Sequence, residues 1–166
     1  WIGQVQGASM RPTYQDGQFI LLLRGKEYNR GDVVGVEYSA GEEKTTLLKR
    51  IIAIGGDVVS CKSGQLYVNG QKISESDHTV GKPSDIPAQT VPDGSVYLLG
   101  DNREHSMDSR SFGCMSCEDI IGKVVHQVMI QTYLEMIQVS ENVLKLLTIT
   151  YLCCSMVPVL AGFRKT

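Results

Sequence analysis

The chain has 166 residues, of which 42% are hydrophobic and 20% charged, enough for one domain with a buried core or one domain with an appendage. A net charge of −2 and the lack of any basic run leave no electrostatic footprint for nucleic acid. Five cysteines is an odd number, against a complete disulfide framework, and Cys114-x-x-Cys117 lacks the second ligand pair that a zinc site needs. No metal or cofactor is expected. The chain opens on Trp1, with no signal peptide at this end, and reads as a fragment or a processed form.

In chain order, Trp1 to Gln6 predicts a short strand that leads into the turn Gly7-Ala8-Ser9-Met10-Arg11-Pro12-Thr13. Gln18 to Arg24 is continuously apolar and predicts a strand buried on both faces. Val33 to Tyr38 and Thr45 to Ile54 are the next two strands, joined by a polar tip at Gly41 to Lys44. Leu66 to Ile73 predicts a hairpin closed by Asn69-Gly70, and Ser74 to Thr90 is a polar stretch expected outside the core. Residues 58–92 together read as a small inserted β region. Val96 to Leu99 and Lys123 to Thr132 complete the strands. Strand after strand with Gly-bearing turns predicts a mainly β, antiparallel fold over 1–132. A helical tail is expected over 133–166, and its uncharged run, 146–163, is a candidate membrane span with Arg164-Lys165 beyond it.

Two features carry chemistry. Ser9 stands on a Pro-containing bend, where a serine is usually only a turn residue. Lys49 lies in the apolar run Leu47, Leu48, Ile51 and Ile52, where burial would disfavour its ammonium form and make it a base. The local sequence leaves open whether Lys49 is buried or points outward beside Arg50 as a solvated pair. A third stretch, Gly100 to Gly113, gathers acids, hydroxyls and arginines, with an Asp108–Arg110 or Asp101–Arg110 ion pair to hold its shape. His78, His105 and His126 lack the sequence context of a triad.

Taken together, Ser9-Met10-Arg11-Pro12-Thr13, Gly31-Asp32-Val33-Val34, Lys49-Arg50 with Gly56-Asp57, and Gly100-Asp101-Asn102 through Ser106, Asp108-Ser109-Arg110 and Gly113 resemble the motifs of the type I signal peptidases, in the same order. That family comprises membrane-bound serine proteases with a mostly β core. The resemblance implies Ser9 as nucleophile, with its backbone N–H in the oxyanion hole, and Lys49 as general base. It implies Ser106 as the hydroxyl that orients the lysine, and Asp108 and Arg110 as a supporting salt bridge with Asp101 close by. Met10, Leu47 and Leu48 flank the catalytic pair and are candidates for substrate pockets. The implied substrate is a preprotein signal peptide, bound as an extended strand and cut after small, Ala-x-Ala-like residues. The implied setting is the outer face of the bacterial cytoplasmic membrane, with membrane lipid as a partner, no nucleic acid, and a monomeric enzyme. Some members carry a Ser where this chain has Gly7, which leaves a second oxyanion donor unassigned. A self-cleaving repressor-type Ser–Lys protease and an inactive β-rich binding module are the alternatives. A penicillin-binding type enzyme is excluded, because no Ser stands three residues before a Lys.

Overall fold

The computed structural model describes residues 1–41, 43–74 and 78–125, and from the remainder Gln138, Val143 and Lys145, which are helical. Trp1–Val125 forms one compact unit. The expected span at 146–163, and the strand residues expected beyond Val125, lie outside the described residues. Among those described, no helix is long and apolar enough to cross a membrane.

The unit consists of antiparallel sheets. The strands are β1 (Ile2–Gln4), β2 (Phe19–Leu23), β3 (Val33–Ala40), β4 (Glu43–Ile54), β5 (Val58–Lys62), β6 (Gln65–Val68), β7 (Gln71–Lys72), β8 (Ile86–Thr90), β9 (Ser95–Leu99), β10 (Met115–Ser116) and β11 (Ile120–Val125). One turn of helix, α1 (Ser109–Phe112), follows the polar loop. The larger sheet runs β1-β2-β11-β3-β4-β9-β10 and the smaller β7-β6-β5-β8. The hairpin β6–β7 closes on Asn69 and Gly70, both with positive φ (+52° and +75°), as a type I′ turn requires.

Two sequence expectations change. The continuous apolar run of β2 does not mark a strand buried on both faces. Ile20 and Leu22 are buried while Phe19 and Leu23 are 65% and 51% exposed, so the strand alternates at the side of the sheet. The polar stretch before Thr90 also enters the core. Pro83 and Ile86 are buried, and β8 pairs with β5. Ile86 packs with Val59, Leu66 and Val68 of the small sheet against Ile52, Tyr97 and Leu99 of the large one. Burying one Leu- or Ile-sized side chain is worth about 1.5–3 kcal/mol, so this shared core binds the two sheets into one folding unit.

Strand β4 positions the site. It pairs with β3 from Glu43 to Arg50, but with β9 only from Arg50 onward. Its stretch from Thr45 to Lys49 therefore keeps one edge free of strand partners among the described residues.

Candidate active site

The serine turn is built by short-range bonds and then clamped from a distance. Arg11 N–H donates to Ala8 O (3.2 Å) and Tyr14 N–H to Met10 O (3.0 Å), which curls the chain tightly beyond Ser9. Gly7 has φ +83°, and its N–H donates to Asp16 Oδ1 at 2.7 Å. The polar loop then grips the turn, as Asn102 donates through its backbone N–H to Ser9 O (3.0 Å) and through Nδ2 to Ala8 O (3.2 Å). Gly100 makes this approach possible, because a Cβ there would lie 2.6 Å from Ser9 O and 2.2 Å from Ser106 Oγ.

Lys49 is buried, 3% exposed, and does not point outward beside Arg50. Its Nζ donates to Ser9 Oγ at 2.9 Å and to Leu48 O at 2.9 Å. Burial strips water from the ammonium and lowers the pKa to about 8, although Asp108 and Asp101 pull the other way. A substantial fraction of the amine is neutral near pH 8 and so able to accept a proton, and the Ser9 hydroxyl is within hydrogen-bond reach.

Two buried carboxylates brace the pair. Asp101 takes a bidentate bond from Arg50 (Nε–Oδ1 2.8 Å, Nη2–Oδ2 2.6 Å) and also accepts from Thr13 Oγ1, which ties both ends of the serine turn to one loop. Asp108 takes Nε and Nη2 of Arg110, both at 2.8 Å, and the N–H of Gly100 at 3.0 Å. Desolvation would raise the Asp108 pKa, but the Arg110 and Gly100 bonds outweigh it and hold the carboxyl below its ordinary value. Of the two ion pairs left open by the sequence, Asp108–Arg110 forms, and Asp101 pairs with Arg50 instead.

Ser106 departs from the expected arrangement. Its Oγ is fully enclosed and has no partner at hydrogen-bond geometry, so it does not hold the Lys49 amine. It lies close enough to Asp108 to favour the ionised carboxylate. Sequence reasoning assigned no task to Asn102 or Thr13, although both stand inside the quoted motifs. Their bonds join positions far apart in the chain, and no local spacing reports such a contact. His105 Nδ1 faces Asn102 Oδ1 at 3.4 Å, whereas Ser9 Oγ meets the lysine. Cys114 and Cys117 are not joined to each other. Among the described residues, no group of His, Cys, Asp or Glu is arranged to hold a metal ion.

A cleft of about 370 Å³ opens at the pair. The chain from Trp1 to Gln6 forms one wall and Thr45 to Lys49 the other, over a floor of Ile20, Leu22, Gly35 and Ile121. Met10, Leu47 and Leu48, expected at substrate pockets, all line it.

The turn thus brings a serine hydroxyl and a buried lysine amine into contact at one end of a cleft. Residues 3–129 match the family model described as signal peptidase, peptidase S26, and the chain belongs to that family. It is 34% identical over 139 residues to signal peptidase I V of Bacillus subtilis (strain 168), covering 73% of this chain and 81% of that one. It is 37% identical over 122 residues to signal peptidase I of Bacillus licheniformis, covering 64% of each. It is 32% identical over 142 residues to signal peptidase IB of Staphylococcus aureus, covering 72% and 73%. The crystal structure of a signal peptidase I from Enterococcus faecalis V583 superposes with a TM-score of 0.51 at 26% identity, over 60% of this chain and 98% of that one. The protein is accordingly a serine endopeptidase that acts on signal peptides.

Proposed function

We propose that Ser9 is the nucleophile and Lys49 the general base of signal-peptide cleavage. The observation that carries this is the 2.9 Å contact between Lys49 Nζ and Ser9 Oγ, made by an amine whose pKa is lowered to about 8. The neutral amine takes the Ser9 proton as Oγ attacks the scissile carbonyl, and then delivers it to the departing backbone nitrogen. The resulting acyl-enzyme is released by water that the same amine deprotonates. The Ser9 N–H donates to the oxyanion. The Gly7 N–H is already held by Asp16 and is not the second donor.

Substrate enters as an extended strand between the free edge of β4 and the wall from Trp1 to Gln6, with main-chain pairing for affinity and alternate side chains in the floor. Residues of Ala size before the cleavage site suit contacts with Met10, Leu47 and Leu48. The exposed apolar residues Trp1, Ile2, Phe19 and Leu23 lie at the β1–β2 side of the sheet, and we assign them to contact with lipid. In this reading the unit works at the outer surface of the cytoplasmic membrane, where exported preproteins emerge.

The test is cleavage of a preprotein by the native chain, Ser9→Ala and Lys49→Ala, with circular dichroism to check folding. Both variants should fold and lose cleavage by at least about 10³-fold. Retained activity in Lys49→Ala would sink the assignment of the base.

A further inference from the structure

The serine turn leaves one chemical task without a residue. As Ser9 Oγ attacks the scissile carbonyl, the carbonyl oxygen gains negative charge. Hydrogen-bond donors preset around that oxygen stabilise it more than they stabilise the bound substrate. The Ser9 N–H supplies one donor, and the main chain beside it supplies no second. The Gly7 N–H donates to Asp16 Oδ1 at 2.7 Å, and neither Gly7 nor Ala8 lines the cleft. Met10, the next residue, is buried at 1% exposure. A second donor must therefore come from a side chain.

Besides Ser9 and Lys49, five residues that line the cleft carry a side-chain donor: Trp1, Gln4, Gln6, Thr45 and Thr46. Thr45 and Thr46 precede Lys49 in β4 by four and three residues, so at about 3.3 Å per residue they stand roughly 10–13 Å from it. Trp1 is at the far end of the opposite wall, where its amino group donates to Leu22 O at 2.9 Å. Gln4 is committed, because its Nε2 donates to Gly17 O at 3.0 Å. Gln6 remains. It is exposed, and its side-chain amide makes no hydrogen bond among the described residues. It stands three residues before Ser9, a stretch that spans at most about 11 Å when extended, and the bend at Gly7 (φ +83°) shortens that. The flexible arm of Gln6 reaches the space in front of the Ser9 N–H.

An amide suits the task. It keeps both N–H groups at every working pH and does not compete for the proton shared by Ser9 and Lys49. Its bond to the carbonyl oxygen strengthens as that oxygen becomes charged.

We propose that Gln6 is a catalytic residue whose side-chain Nε2 donates the second hydrogen bond to the oxyanion. The inference rests on the protease reading above and completes its stabilisation of charge. Donation moves no proton, since Lys49 alone takes and returns the proton of Ser9.

The experiment measures kcat and KM on one peptide substrate for the native chain, Gln6→Met, Gln6→Glu and Gln6→Asn. It also measures the affinity of a peptide aldehyde that ends at the residue before the cleavage site. Ser9 Oγ adds to the aldehyde carbon, its proton passes to Lys49, and the former carbonyl oxygen takes the charge at the same position. Gln6→Met keeps the length of the arm and removes the donor. Its kcat should fall about 10²-fold with KM within about threefold, and aldehyde affinity should fall by a similar factor. Gln6→Glu puts an acceptor where the donor stood and should lose at least as much. Gln6→Asn keeps the amide on a shorter arm and should recover part of kcat. Thermal melts of all three should match the native melt, because Gln6 is exposed. An unchanged kcat in Gln6→Met, a rise in KM with kcat unchanged, or undiminished aldehyde affinity would overturn the proposal. No cleavage by the native chain, or full activity in Lys49→Ala, would instead overturn the protease reading, and this one with it.

Discussion

Lys49 shows most directly how function and stability oppose each other in this chain. An amine held at about 8 in the folded protein, against 10.5 when unfolded, carries about 3 kcal/mol of unfavourable ionisation at pH 7. Because the folded pKa is the lower one, that penalty is fully present below about pH 8 and is relieved as pH rises towards 10.5. Four outcomes follow at this scale. The rate kcat/KM should climb with pH along an acid limb centred near 8, read from a pH–rate profile. Lys49→Met should abolish cleavage yet raise the unfolding free energy at pH 7, read from denaturant titration, by about 1 kcal/mol after the bonds to Ser9 and Leu48 are lost. Asp108 behaves in the opposite sense. Its folded pKa lies below the unfolded 3.8, so its contribution is present above that value and disappears as pH falls below it. Urea titrations from pH 7 down to pH 3 should show this loss, and Asp108→Ala, which strands the largely buried Arg110, should cost about 3–5 kcal/mol at neutral pH.

Among the elements, the loop from Gly100 to Gly113 decides whether the serine turn is held. It reaches Ser9 and Ala8 through Asn102, Thr13 through Asp101, and its own α1 through the Asp108 cap. Gly100→Ala would push a methyl into the Ser9 carbonyl and the Ser106 side chain together. The expected result is a loss of about 1–3 kcal/mol in stability, with kcat falling by at least roughly tenfold because Ser9 moves from Lys49. A thermal melt paired with single-turnover kinetics checks both. Strand β4 contributes in a different way, since β9 pairs with it only from Arg50 onward and leaves the Thr45 to Lys49 edge without a strand partner among the described residues.

At the scale of the whole molecule, the two sheets share one core, so the small sheet is not a removable ornament. Leu66→Ala in β6 should cost about 2–5 kcal/mol and broaden no second transition, because Leu66 packs with Tyr97 and Leu99 of the large sheet. The apolar side formed by Ile2, Phe19 and Leu23 is exposed in the same unit. Replacing Phe19 and Leu23, which do not line the cleft, by Ser should weaken sedimentation of the chain with anionic phospholipid vesicles while leaving cleavage of a short soluble peptide intact.

Much of this was legible in the linear chain. Alternation, Gly-bearing turns and the Asn69-Gly70 hairpin report local backbone preference, and they defined an antiparallel β fold. Four motifs in order identified the family and singled out Ser9, Lys49, Asp108 and Arg110. The sequence left open whether Lys49 faced water, because the same apolar neighbours surround a strand at an edge and a strand whose side chains are enclosed. It misread β2 as buried on both faces, because composition does not say what covers a strand. It offered Arg110 as a partner for Asp101 from the crowding of charges in one loop, and oriented Ser106 only through the family resemblance. Which acid meets which arginine and which carbonyl Asn102 reaches are set by contacts between residues distant in the chain. Those contacts arise from the packing of the strands together, and the tertiary structure alone decided them.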